Sequence, residues 1–175
     1  MLTTIKTLAV VLMTIQLLNS CNITNNSRAA SREVDAFKDS LVEKQIDSTN
    51  YYISLPSGYS ITLQDGIDFT VYYFSPTDTS ATAEFAGGLY FGNFPGEFDK
   101  SDASCKTTIT KSKILDTTVD WTVYNCNNDY SLQTIIDSKS GEDWNRKIHA
   151  FGNAKSEIKT YKLLGIFSTL RQSKK

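Results

Sequence analysis

The chain has little of what metal sites and acid–base sites are made from. Its 175 residues include one histidine and three cysteines. A structural zinc site takes four ligands, mostly cysteine and histidine, and this inventory offers no such set. A catalytic triad would need a nucleophile and an orienting acid around His149, and no Gly-x-Ser-x-Gly motif is present. We therefore expect no cofactor, no metal and no catalytic residue, and we interpret the chain as a non-enzyme.

An excess of positive charge is also missing. Lysine and arginine total 18 against 19 aspartate and glutamate residues, which gives a formal net charge of −1. Nucleic-acid-binding surfaces are usually strongly basic, because phosphate contacts are made largely by lysine and arginine. The balance of charge argues against nucleic acid as a partner.

No apolar run is long enough to span a bilayer. Residues 7–18 (TLAVVLMTIQLL) form the longest one, whereas a membrane-spanning helix needs roughly 20 residues. Lys6 is the only charge before it, and this layout is typical of a secretory signal. The sequence Leu18-Asn19-Ser20-Cys21 resembles a bacterial lipobox, in which cleavage precedes the cysteine and the cysteine receives lipid. Cys21 is the predicted lipidation site, and a secretory signal with an incidental cysteine is the alternative.

These signals divide the chain into three parts. Residues 1–20 are the predicted signal peptide, residues 21–48 a tether with a possible short helix, and residues 49–173 a single domain. The stretch after Cys21 is polar and has no acidic cluster that would direct export to the cell surface. We expect the protein in the bacterial cell envelope, facing the periplasm and bound to the membrane through a lipid anchor only.

Two cysteines remain in the mature domain. In an oxidising compartment an even number suggests a disulfide, with a metal pair or two buried thiols as alternatives. If the hairpin that contains them turns at Leu115-Asp116, Cys105 directly faces Cys126. That register would place the two Cα atoms within disulfide range.

The periodicity of apolar residues changes from helical to extended near residue 50. Val34, Phe37 and Leu41 predict a short helix over Ala30–Glu43. A second, strongly apolar helix is predicted over Ala154–Arg171, with Asn153 as its cap. The expected class is α+β, a mainly antiparallel sheet of about six to seven strands with flanking N- and C-terminal helices. The segments predicted to be extended are 51–55, 59–63, 68–74, 85–92, 105–115, 119–126, 130–137 and 144–151.

The order of several segments resembles a known family. They are YYISLPSGY, DFTVYYF, GGLYFGNFP, VDWTVY and EIKTYKLLGIFSTLR. Over about residues 50–172 this pattern resembles the PsbP-like superfamily, which includes photosystem PsbP proteins and bacterial lipoproteins of the DcrB and LpqN types. The resemblance implies a PsbP-like α/β/α sandwich and an accessory or protein-binding role. It implies no catalytic residues.

The loop over residues 93–104 (NFPGEFDKSDAS) is the predicted recognition surface. It combines Phe94 and Phe98 with Glu97 and Asp99, and interfaces typically place aromatic side chains at the centre and polar groups at the rim. The alternative is that both phenylalanines fold back onto the core. A second candidate loop, residues 75–83, lies at the other end of the strand 85–92.

Three other features have plain structural interpretations. Glu97, Asp99 and Asp102 are spaced loosely like a calcium loop but lack its full ligand set, so a solvated loop is expected. Gly87 and Gly88 lack the strand-to-helix context of a phosphate cradle and instead indicate close approach of backbone within a strand. His149 alternates with Ile148 and Ala150, which predicts a solvated strand residue.

From the sequence we expect a lipid-anchored, non-enzymatic accessory module that binds an envelope protein or peptide. The alternative is a small lipid-handling protein or hydrolase of the cell envelope. An apolar pocket between the last helix and the sheet would favour lipid handling, whereas an exposed aromatic patch would favour a protein partner.

Overall fold

The computed structural model describes residues 28–80, 82–99, 104–138 and 145–173. Cys21, Asp102 and Trp144 lie outside these ranges. The chain divides into two units, Met1–Phe37 and Lys38–Lys175. The first helix, α1, covers residues 28–39.

The prediction of a helix as far as Glu43 is wrong. The helix ends at residue 39, and β1 (Val42–Gln45) pairs antiparallel with β2 (Tyr51–Leu55). Ile46 follows β1 and is fully buried. The strand lies in the stretch that the sequence assigned to the tether. Cross-strand pairing and burial here outweigh the local helical pattern.

Ten strands in the described residues form two antiparallel sheets. A small sheet has the order β1-β2-β10, and the main sheet has the order β3-β4-β5-β9-β8-β7-β6. The α+β class with a mainly antiparallel sheet is therefore confirmed. The remaining strands are β3 (Tyr59–Asp65), β4 (Phe69–Pro76), β5 (Phe85–Gly92), β6 (Cys105–Ile114), β7 (Thr117–Cys126), β8 (Asp129–Asp137), β9 (Lys147–Ala154) and β10 (Arg171–Gln172).

The second helix, α2 (Glu157–Phe167), is shorter at both ends than predicted. Ala154 belongs to β9, because it pairs with Phe85 on one side and Tyr130 on the other. Ser156, rather than Asn153, is the N-cap, and its hydroxyl accepts a hydrogen bond from the backbone N–H of Lys159. After the helix the chain returns as β10 and pairs with β2.

One face of the main sheet, which we call the inner face, is covered by α2. The helix packs on β5, β8 and β9 and also contacts β2 and β6. A Cβ on Gly152 would lie 2.7 Å from Leu163 Cδ2 and 2.7 Å from the carbonyl oxygen of Ala86. The absence of a side chain at Gly152 therefore lets the helix approach the strands closely. Phe167 completes this core against Trp121, with ring centroids 4.9 Å apart.

Candidate functional site

The other face of the main sheet, the outer face, carries aromatic side chains that are only half buried. Tyr73, Gly88, Phe151 and Gln133 lie on consecutive neighbouring strands and face the same way. The ring of Phe151 lies over Gly88, where a Cβ would be 2.6 Å from Phe151 Cζ. Gly88 therefore provides room for an aromatic ring on the outer face, as expected for a glycine that permits close approach.

A segment that we call the covering segment, residues 93–99, crosses part of the outer face. Its anchor is the backbone of Phe98, held by the side-chain amide of Gln133. The N–H of Phe98 donates to Gln133 Oε1 at 2.8 Å, and Gln133 Nε2 donates to the carbonyl oxygen of Phe98 at 2.8 Å. The hydroxyl of Tyr124 donates to the same carbonyl at 2.9 Å. Gln133 thus satisfies both backbone groups of one loop residue, much as a neighbouring strand would.

His149 lies beneath this segment and is only 3% exposed, so the prediction of a solvated histidine is wrong. Alternation placed it correctly on the face opposite Ile148 and Ala150. It is buried because the ring of Phe98 covers it, with centroids 5.2 Å apart, and Phe151 lies 5.4 Å away. The cover comes from a segment some fifty residues away in sequence, which strand periodicity cannot reveal.

The imidazole is arranged as a neutral hydrogen-bond donor. Its Nε2 lies 3.1 Å from Gln133 Oε1, an atom that only accepts, so Nε2 carries the proton. Burial lowers the pKa of His149 to about 4, which keeps the ring neutral near pH 7. The hydrogen-bond partner is an amide that neither takes nor gives a proton in this range. The arrangement therefore suits fixing the covering segment better than proton transfer.

The four predicted binding residues lie together on the covering segment but differ in exposure. Phe94 is 80% exposed, whereas Phe98 is 42% exposed and packs on His149 and Phe151. Glu97 and Asp99 are exposed, and neither forms an ion pair with another residue of the described ranges. The alternative in which both phenylalanines fold back thus describes Phe98 but not Phe94.

The other candidate loop lies at the opposite end of β5. Thr82 and Ala83 line a cavity of about 410 Å³ that also includes Cys126 and Asn153. Two ion pairs, Lys155–Asp129 and Lys159–Glu84, join residues of the cavity wall or its edge. The charged side chains at this cavity are therefore paired with one another. Because the two candidate loops lie at opposite ends of β5, they do not form a single site.

The cysteines of the β6–β7 hairpin form the predicted disulfide. Cys105 and Cys126 are register partners with Cα atoms 4.2 Å apart. The turn at Leu115-Asp116 and the pairing of Ile114 with Thr117 also match the predicted register. The bond closes the open end of the hairpin, next to the cavity.

Two residues that position the covering segment were missed from the sequence. Gln133 is 4% exposed within the strand YSLQTIID, and Tyr124 lies on the neighbouring strand. The one sequence feature that could have identified Gln133 is that it is an amide side chain in a mostly apolar strand. Its partner, the backbone of Phe98, is 35 residues distant and offers no side-chain pattern that would identify it.

Comparison of the chain with protein-family models, with curated proteins and with solved structures gave no match. None of the helices in the described ranges combines the length and apolar character needed to cross a membrane. In the same part of the chain, no three His, Cys, Asp or Glu side chains are grouped so that they could hold a metal ion.

Proposed function

We propose that this protein is a lipid-anchored lipoprotein of the bacterial cell envelope that binds another envelope protein or a peptide and catalyses no reaction. The observation that carries the proposal is the exposed ring of Phe94 on a segment that is fixed elsewhere by Gln133. An aromatic side chain is a common anchor at interfaces. A segment that is already ordered loses less conformational entropy when a partner binds.

The remaining members of the covering segment suit the edge of such an interface. Glu97 and Asp99 are exposed on either side of Phe98, and charged groups are typical of an interface rim. Phe98 contributes part of its ring to the surface and the rest to the packing over His149. We therefore assign recognition to Phe94, Glu97 and Asp99, and both recognition and support to Phe98.

The proposal extends to the PsbP-like superfamily and its α/β/α sandwich. The antiparallel order of the main sheet and the cover of α2 on its inner face are consistent with that assignment. In such a fold the outer face would be a surface that a second layer or a partner covers. The half-buried aromatic residues Tyr73 and Phe151 on this face fit either.

The lipid-handling or hydrolase alternative receives less support from the geometry. The helix approaches the sheet closely at Gly152 and Leu163, within the interface where an apolar ligand pocket would lie. His149, the only histidine that could serve as a base, donates a hydrogen bond to the side-chain oxygen of Gln133 and lies beneath the ring of Phe98. These contacts favour a binding module.

The test is site-specific photo-crosslinking in cells. A photoreactive phenylalanine analogue is placed at position 94 or, as a control, at Tyr161, an exposed aromatic residue on α2. We expect one defined crosslinked product from position 94 and none of the same mass from position 161. Phe94→Ala should abolish capture of that product by chemical crosslinking and leave the melting temperature unchanged, because the side chain is mostly in solvent. Equal capture by wild type and Phe94→Ala would contradict the proposal.

A further inference from the structure

The turn between β3 and β4 lies at the same end of the sheet as Phe94. Phe69, the first residue of β4, is the register partner of Gly92, the last residue of β5. The ring of Phe69 stacks on Tyr90 with centroids 5.5 Å apart, and the hydroxyl of Tyr90 accepts a hydrogen bond from the N–H of Phe94. These contacts link the hairpin to the start of the covering segment.

This end of the sheet exposes apolar side chains to solvent. Ile67, at the tip of the turn, is fully exposed, and Phe94 is nearly so. Together with Phe69 and Tyr90 they form what we call the hairpin patch. Isolated exposed apolar residues are common, but a connected group rimmed by polar residues marks an interaction surface.

The hairpin patch contains a hollow that suits a long side chain. It has a volume of about 250 Å³ and is lined by residues 66–70. The ring of Phe69 bends over Gly66, where a Cβ would lie 2.3 Å from the ring, and Asp68 is part of the lining. An aromatic wall and a carboxylate favour a lysine or arginine, whose stem is apolar and whose tip is cationic.

Four carboxylates surround the patch or lie along the covering segment: Asp65, Asp68, Glu97 and Asp99. Within the described ranges none of them forms an ion pair, and Asp65 accepts a hydrogen bond from the hydroxyl of Thr70 at 3.1 Å.

Among the described residues, the cations beside them are Arg146, whose backbone N–H donates to Asn93, and Lys147. Lys147 pairs with Asp137 at 2.5 Å. Among the described residues negative charge is therefore in excess around an apolar centre, and a partner with basic residues would complement it.

We propose that the hairpin patch binds a cationic amphipathic segment of the partner. Apolar side chains of that segment lie against Ile67 and Phe94, and a lysine or arginine enters the hollow beside Phe69 and Asp68. The inference rests on the proposed function and specifies the chemistry of its partner.

The experiment measures binding of labelled synthetic peptides to the intact mature protein by fluorescence anisotropy. The probe is a short peptide of leucine and lysine, compared with versions in which glutamine or glutamate replaces lysine or serine replaces leucine. We expect the leucine–lysine peptide to bind most tightly, and its affinity to fall as ionic strength rises. Ile67→Ser or Phe94→Ser should weaken it about tenfold, and Asp65→Asn with Asp68→Asn about two- to fivefold.

Ile109→Ser provides the matched control, since Ile109 is 60% exposed on β6 at the far edge of the sheet. It should bind the peptide as wild type does. The inference is overturned if the glutamate peptide or the serine peptide binds as tightly as the leucine–lysine peptide. It is equally overturned if Ile67→Ser has no effect. If the wild-type protein does not bind the leucine–lysine peptide but still forms the crosslinked product at position 94, the cationic partner is rejected and the proposed function stands.

Discussion

Acidification should destabilise this domain through its single histidine. His149 is buried between Phe98 and Phe151 and donates a hydrogen bond to Gln133, which in turn holds the covering segment. A proton added to the ring would place a positive charge in an apolar setting whose polar partner is an amide. The folded state therefore resists protonation, and the unfolded chain does not.

The size of the effect follows from the two pKa values. In the unfolded chain the imidazole has its ordinary pKa of 6.5, and in the folded domain burial lowers the pKa to about 4. Between these values the unfolded state binds more protons than the folded state, so stability falls as pH falls through this window. The full loss is roughly 3 kcal/mol, a considerable part of the 5–15 kcal/mol that a domain of this kind typically has.

Two measurements check this prediction. Because the chain has one histidine, its imidazole C–H signals in a proton NMR spectrum can be followed with pH without assignment. Urea unfolding from about pH 4 to about pH 7.5 gives the free energy of unfolding for wild type and for His149→Gln. Glutamine can still donate to Gln133 but does not titrate, so the variant should lose less stability on acidification.

Carboxylates also titrate at low pH, and the comparison removes their contribution. The pKa of Glu43 is lowered by its hydrogen bonds from Arg171, and that of Asp78 by hydrogen bonds from Ser80. Both effects remain in His149→Gln, so only the difference between the two proteins reports on the histidine. An NMR midpoint near 6.5, or parallel pH curves for the two proteins, would refute the reasoning.

Three further predictions concern packing, the disulfide and the anchor. Gly152→Ala should destabilise the domain by about 1–3 kcal/mol, measured by thermal unfolding, whereas Gly96→Ala should be neutral because a Cβ there meets nothing within 4 Å. Denatured, unreduced mature protein should show no free thiol, and replacing Cys105 and Cys126 by serine should lower stability by about 3 kcal/mol. Cys21→Ser should move the protein from the membrane fraction to the soluble fraction, and retention in the membrane would argue against lipidation.

The hairpins were predictable because their signals are local. The turn at Leu115-Asp116 fixed the pairing of all residues in β6 and β7, and the structure has that register. Both turn residues have positive φ, as a two-residue hairpin turn of the favoured type requires. Once the turn is placed, alternation assigns each side chain to a face, and the disulfide follows from the same count.

The short strands were not predictable in this way. β1 has four residues and β10 has two, and each is stabilised by pairing with β2. Arg171 further joins the two outer strands by donating two hydrogen bonds to Glu43, each 2.7 Å long. Contacts between residues 128 apart leave no periodic signal in either segment. The local apolar spacing of residues 34–41 therefore extended the predicted helix into a strand.

In the candidate site, too, contacts between residues distant in sequence could not be predicted. The exposed residue of the site, Phe94, was identified from composition of the loop, since an aromatic side chain among polar neighbours is visible in the sequence. The residues that hold the loop, Gln133 and Tyr124, were not, because their contacts are with the backbone of a residue distant in sequence.

The helix-packed core and the proposed recognition surface lie on opposite faces of this sheet. On the inner face, Leu163 and Phe167 of α2 are buried against the sheet. Substitution of these residues is expected to lower the stability of the domain. On the outer face, the covering segment is fixed at Phe98 by Gln133 and is exposed at Phe94. Substitution of an exposed residue is therefore expected to remove the proposed binding without unfolding the domain. Substitution of Gln133 would instead leave the N–H groups of Phe98 and His149 without their acceptor, and should reduce the proposed binding and the stability together.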